Sequence, residues 1–264
     1  EYQPLFFPEP EVLSYEFLSA DHATNSERLR VLESLANIPN TTPSIIVASV
    51  GAVLCKTLSM ELFRKISFSL STGQTIHLRK LMEHLVNIGY RRESSVDIPG
   101  TFSLRGGILD IFSPNEDLPV RLDMAGDEIE TLNLFDPLSQ RSVQKTDMTK
   151  IVPAQEILPS IETQESATTP ISDLNFSNCT SDMRAKIEDD LTMLFSGNQL
   201  ADAAFYNGFI NHTSLLDYMP QRTPVVLEDE IALEIESGLI EQRIQEIQNA
   251  RLSQGELPAN FPSS

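Results

Sequence analysis

The chain has 264 residues, 41% of them apolar, and a formal net charge of −19. That length accommodates one large domain or two to three small ones with proper cores, and no stretch reaches the roughly 18 apolar residues that a bilayer span needs. Affinity for DNA comes largely from Lys and Arg displacing phosphate counterions, so a chain this acidic repels DNA by default and favours protein partners with basic surfaces.

The opening Glu1-Tyr2-Gln3-Pro4 has no initiator Met and none of the basic and apolar regions of a signal peptide. With Pro262-Ser263-Ser264 at the other end, the chain reads as a piece of a longer protein. Cys55 and Cys179 stand far apart without a C-x-x-C, as two unpaired thiols of a reducing, cytoplasmic setting would.

The first block, residues 1–67, combines a helix over Ser26–Leu35 with a short β-branched run, Ser44–Val50, between Pro43 and Gly51. Such a run reads as a buried parallel strand, and Ala52-Val53-Leu54 begins another helix, which together make an α/β pattern. The second block, residues 68–153, opens with a helix. Leu78, Leu81, Met82, Leu85 and Val86 follow a helical stripe, and Gly89 stands at the cap position. From Gly100 the period becomes two. Phe102 and Leu104 alternate with Ser103 and Arg105; Ile108–Phe112 is a strand; Pro114–Asp117 turns; Val120, Leu122 and Met124 alternate with Arg121 and Asp123. Gly126-Asp127 leads into Glu128–Phe135, completing an antiparallel meander with one buried face. The third block, residues 154–264, begins with a linker rich in Ser, Thr, Glu and Pro at Ser160–Pro170. A helix is expected through Met183, Ile187, Leu191 and Leu194, then a strand at Pro224–Leu227 and a charged helix from about Asp229 to Arg251.

Neither a phosphate loop G-x-x-x-x-G-K-[ST] nor a G-x-G-x-x-G or G-x-S-x-G motif is present. The four histidines, His22, His77, His84 and His212, lack ligand spacing, so no metal site and no catalytic residue is expected. On the period-two reading Arg105, Arg121 and Asp123 project from the exposed face of the meander. They can form a solvated cross-strand salt bridge worth less than about 1 kcal/mol. They can equally be an interface anchor, since the planar guanidinium fork binds carboxylates bidentately. Glu228-Asp229-Glu230 after an apolar strand sits where NTPases place a magnesium-holding Asp, or is simply a helix N-terminus favoured by the dipole.

The run Pro99–Phe112 (PGTFSLRGGILDIF), followed by Leu118–Asp123, Gly126–Glu130 and Phe135–Ser142, resembles the second domain of two nucleotide-excision-repair families, UvrB and the transcription-repair coupling factors (Mfd). Leu215–Pro220 with Val225–Asp229 is similar to the UvrB stretch leading into its Walker B strand, and Phe7–Tyr15 and Ser26–Leu29 to the front of the first domain. Two departures favour the coupling factors. The short interval from Phe7 to Arg28 holds only Tyr15, leaving no room for UvrB's tyrosine-rich DNA hairpin, and Glu228-Asp229 reverses the usual Asp-Glu order. The resemblance implies a parallel-sheet, degenerate P-loop domain built from residues 1–67 and 154–264, interrupted at 68–153 by a small α+β domain with an antiparallel sheet that docks UvrA. Arg92, Arg105, Arg121 and Asp123 match family contact residues, whereas Ser103 stands where UvrB has another arginine and Ala125 where some coupling factors have a contacting phenylalanine. Glu228 and Asp229 become a degenerate Walker B. This fragment would then be non-catalytic and bind no cofactor. ATP and Mg, RNA polymerase and DNA would engage other regions of the parent, an ATP-dependent translocase, whose remaining domains are further partners. A UvrB-type DNA-engaging ATPase module, or an autoinhibitory clamp on its own chain, are the alternatives.

Overall fold

A computed structural model describes residues 4–10, 13–16, 21–37, 45–158, 173–198, 200 and 202–263; the expected linker Ser160–Pro170 lies outside them. Strands β1 (Leu5–Phe7) and β2 (Ile46–Ala48) pair in parallel, with Phe6 opposite Val47. Helix α1 (His22–Asn37) extends the expected helix at both ends. After β2 come α2 (Val50–Leu54), capped by the Ser49 hydroxyl, and α3 (Met60–Ile66), which the periodicity did not announce.

In the middle of the chain β3 (Phe68–Ser71) precedes α4 (Leu78–Asn87), whose stripe buries Leu81 and Leu85. Gly89 adopts φ +95°, a conformation glycine takes at little steric cost. The Tyr90 amide then bonds the Leu85 carbonyl and the Gly89 amide the Val86 carbonyl, closing the last turn in a Schellman arrangement. A six-stranded sheet follows in the order β4 (Arg91–Arg92), β5 (Thr101–Arg105), β6 (Ile108–Phe112), β7 (Val120–Ala125), β8 (Glu128–Phe135) and β9 (Ser142–Thr146). Its strands are antiparallel from β5 onward. Strand β10 (Met148–Ile151) leaves that sheet and pairs with β3.

Farther along are α5 (Ser181–Phe195), α6 (Asn207–Ile210) and α7 (Glu230–Gln254), with short 3-10 turns at Ala203–Tyr206 and Leu215–Tyr218. Ile187, Leu191 and Leu194 of α5 pack in one core with Tyr15, Phe205, Tyr206, Leu257 and Phe261. The expected strand Pro224–Leu227 is not formed. Val225, Val226 and Leu227 are 68%, 89% and 61% exposed and pair with no strand among the described residues. An apolar β-branched run becomes a strand only where neighbours complete its ladder and cover its faces.

The chain divides into two compact units. One comprises Glu1–Thr24, Pro39–Ser59 and Ile157–Ser264; the other, Asn25–Ile38 with Met60–Glu156, takes most of α1 and all of α3 together with the six-stranded sheet. The architecture is mixed α/β with several sheets. Among the described residues the parallel sheet of the first unit is the single β1–β2 pair. No helix among them is long and apolar enough to cross a membrane.

Candidate functional site

The meander sorts its side chains by parity. Phe102, Leu109, Ile111, Val120, Leu122 and Leu132 are buried and face one another across the sheet, in the register Phe102↔Ile111↔Val120 and Leu109↔Leu122↔Leu132. The alternate positions form two polar rows on the opposite side. One runs Ser103↔Asp110↔Arg121↔Asn133↔Lys145 and the next Arg105↔Ile108↔Asp123↔Thr131. The sequence-predicted trio Arg105, Arg121 and Asp123 therefore shares one face.

At its centre stands a residue the periodicity did not single out. The Asp110 side chain is 0% exposed, against 17% for Arg121 and 50% for Arg105. Both of its oxygens are used. Arg121 Nε donates to Asp110 Oδ1 at 2.7 Å and Arg121 Nη2 to Oδ2 at 2.9 Å, while Arg105 Nη2 reaches Oδ2 at 2.6 Å. A bidentate guanidinium–carboxylate pair of this kind is stronger and more directional than a single neutral hydrogen bond. The bond to Asp110 also holds the Arg121 guanidinium above its usual pKa, against the opposing effect of burial. Arg121 has two more anchors. Its Nη1 donates to the Gln140 carbonyl at 3.2 Å, and its guanidinium carbon lies 4.4 Å from the centre of the Phe135 ring.

Gln140 belongs to the Phe135–Ser142 motif and reaches φ +58° at the end of a tight turn. The Asp136 carboxylate ties that turn by accepting from the Leu138 and Ser139 amides. Gln140 Nε2 donates to the Pro137 and Val96 carbonyls, and Val96 packs with Phe112 and Phe135. The β8–β9 turn thereby gives Arg121 a second anchor besides Asp110. Arg105, next to the Gly106-Gly107 turn, has no such second anchor among the described residues and presents half of its side chain to solvent.

The other predicted positions are placed differently. Asp123 is engaged by its own strand neighbours, accepting from Thr131 Oγ1 at 2.6 Å and Asn133 Nδ2 at 3.4 Å. Arg92 is exposed and pairs with Phe102, so it sits at the sheet edge on the side of the apolar rows, away from Arg105. Ser103 is buried, its hydroxyl donating to the Ser94 carbonyl at 3.1 Å. Ala125 is exposed at the end of β7. Glu228 is exposed, and Asp229 is the N-cap of α7, accepting from the Ala232 amide at 3.1 Å. Among the described residues no His, Cys, Asp and Glu side chains gather as a metal ion would need. Asp110 was detectable in principle, because a lone acid inside the apolar run Ile108–Phe112 must find a partner if buried.

Residues 68–157 match the family profile of the UvrB interaction domain. The chain is 40% identical over 172 residues to a transcription-repair-coupling factor of Myxococcus xanthus, covering 64% of this chain and 14% of that protein. It is 28% identical over 235 residues to the Bacillus subtilis transcription-repair-coupling factor, covering 85% of this chain and 20% of that one. A UvrABC system protein B of Thermosipho africanus is 34% identical over 137 residues, 52% of this chain and 20% of its own length. The chain thus spans at most 20% of the length of these three relatives.

Proposed function

We propose that this chain, which carries a UvrB interaction domain at residues 68–157 and resembles transcription-repair-coupling factors along most of its length, is a recruitment module of nucleotide-excision repair. Its role is to dock UvrA, and it does no chemistry of its own. One observation carries this reading: Arg105 stands half-exposed at the open end of a polar row, held in place by a buried carboxylate. An Arg fork fixed on a stiff sheet suits a carboxylate on an opposing protein surface. The overall charge of −19 favours a protein partner over DNA.

In the parent protein, regions outside this chain would bind RNA polymerase and DNA and would use ATP and Mg for translocation. This module would then bring UvrA to the stalled polymerase without binding a cofactor itself. In this reading Asp229 caps a helix and Glu228 is an exposed neighbour, with no part for either in nucleotide hydrolysis. The test is a calorimetric titration of UvrA with this chain, its Arg105→Ala variant and, as a control on a remote exposed pair, Arg79→Ala. Weaker binding for Arg105→Ala and unchanged binding for Arg79→Ala is the expected outcome. Equal binding by all three would refute the assignment of the surface.

A further inference from the structure

We propose that Asp110 is the positioning residue of this docking face: it holds Arg105 and Arg121 in one preset arrangement, so that Arg105, the more exposed of the two, makes the main contact with a partner carboxylate. The proposal rests on the docking reading above and adds to it the separate tasks of Asp110 and Arg121.

The division follows from how the donors are used. Arg121 spends its Nε and one Nη2 proton on Asp110 and an Nη1 proton on the Gln140 carbonyl, and one face of its guanidinium covers the Phe135 ring. With its side chain 17% exposed, it has little left to offer a partner. Arg105 gives a single Nη2 proton to Asp110, and its other N–H donors meet no acceptor among the described residues, with half its side chain in solvent. Two guanidiniums in adjacent rows would repel each other if nothing lay between them. The Asp110 carboxylate, fully buried and shared by both, removes that repulsion and fixes the Arg105 side chain from one end. Asp123 does not take this part, since its carboxylate accepts from Thr131 and Asn133 instead.

A fork fixed in advance loses less side-chain freedom when the partner arrives. The saving for one long side chain corresponds to roughly threefold to tenfold in affinity. Removing the Asp110 charge should therefore weaken docking by that factor, and only while Arg105 is present to be positioned.

The experiment is a double-mutant cycle. Wild type, Arg105→Ala, Asp110→Asn and the double variant are each titrated with UvrA, and each is melted to confirm that it is folded at the assay temperature. The expected result is a threefold to tenfold loss for Asp110→Asn in the wild-type background and no further loss in the Arg105→Ala background. An equal loss in both backgrounds would show that Asp110 acts on the fold alone and would overturn the proposal. So would unchanged affinity for Asp110→Asn beside a weakened Arg105→Ala, an outcome that leaves the docking reading intact. If Arg105→Ala binds as wild type does, the docking reading fails and this role of Asp110 fails with it. Should Asp110→Asn not fold, Asp110→Asn with Arg121→Gln replaces the buried charges by amides and enters the same cycle, with the same outcomes.

Discussion

Arg105→Ala and Arg121→Ala remove the same atoms from the same polar face, and their effects on stability should differ severalfold. Arg121 is 17% exposed and donates twice to a carboxylate with no exposure. Removing one partner of a buried pair costs about 3–5 kcal/mol, because the other charge is left without compensation. Asp110 would retain Arg105 at 2.6 Å, which places the expected cost near the lower limit, at about 3 kcal/mol. Loss of the bond to the Gln140 carbonyl and of the Phe135 stacking prevents the cost from falling further. Arg105 is half exposed and makes one bond to Asp110, which keeps its bidentate pair when Arg105 is gone. Pairs of that exposure are worth about 0.2–1 kcal/mol. In a thermal melt followed by far-ultraviolet circular dichroism, Arg121→Ala should lower the transition of the sheet-bearing unit by roughly 12 °C, at about 4 °C per kcal/mol, and Arg105→Ala by under about 4 °C. Equal shifts, or a larger one for Arg105→Ala, would refute the division of tasks between the two arginines. The same numbers make Arg105→Ala the clean probe of docking, since Arg121→Ala weakens the fold that presents the surface.

Three further outcomes follow from other parts of the second unit. Arg28 is 2% exposed and forms a bidentate pair with Glu156 at 2.6 and 3.0 Å, so Arg28→Ala should cost about 3–5 kcal/mol in urea unfolding. Glu116 is held above its ordinary 4.5 by burial and by the neighbouring Glu33 and Asp117 carboxylates. The folded state therefore keeps this proton to higher pH than the unfolded state, and the stability it contributes is present below pH 4.5 and lost as pH rises through the raised value. Glu116→Gln should accordingly be more stable than wild type at neutral pH and indistinguishable from it in melts at about pH 4. Ser103→Arg, which introduces the arginine that the resemblance to UvrB implies at this position, must enlarge a side chain that is 2% exposed beneath the Ser94 carbonyl. Overpacking of about 1–3 kcal/mol is expected in a melt, with no gain in a UvrA titration.

How much of this site the sequence made legible depends on the distance over which register must be counted. Phe102 and Leu104 alternating with Ser103 and Arg105 fix the parity of β5, and α4 carries its own stripe and its own cap at Gly89. The Gly106-Gly107 turn is a two-residue hairpin, so pairing can be counted outward from Arg105↔Ile108 to Ser103↔Asp110. The proximity of Asp110 to Arg105 could thus have been read from residues 103–110. Between β6 and β7 the connection spans residues 113–119, and no count through a loop of that length determines the register. The pairing Asp110↔Arg121 is set instead by burying Leu109 against Leu122 and Ile111 against Val120. The same limit hid the β3–β10 pair, whose partners are separated by the whole meander. At Pro224–Leu227 it produced an expected strand where no neighbour among the described residues pairs with the run. Parity along a strand is a local property, so it placed Arg105, Arg121 and Asp123 on one face. Which carboxylate the arginines hold is a question of register, and there the core decides: its apolar rows align Asp110 with Arg121 and leave Asp123 to Thr131 and Asn133.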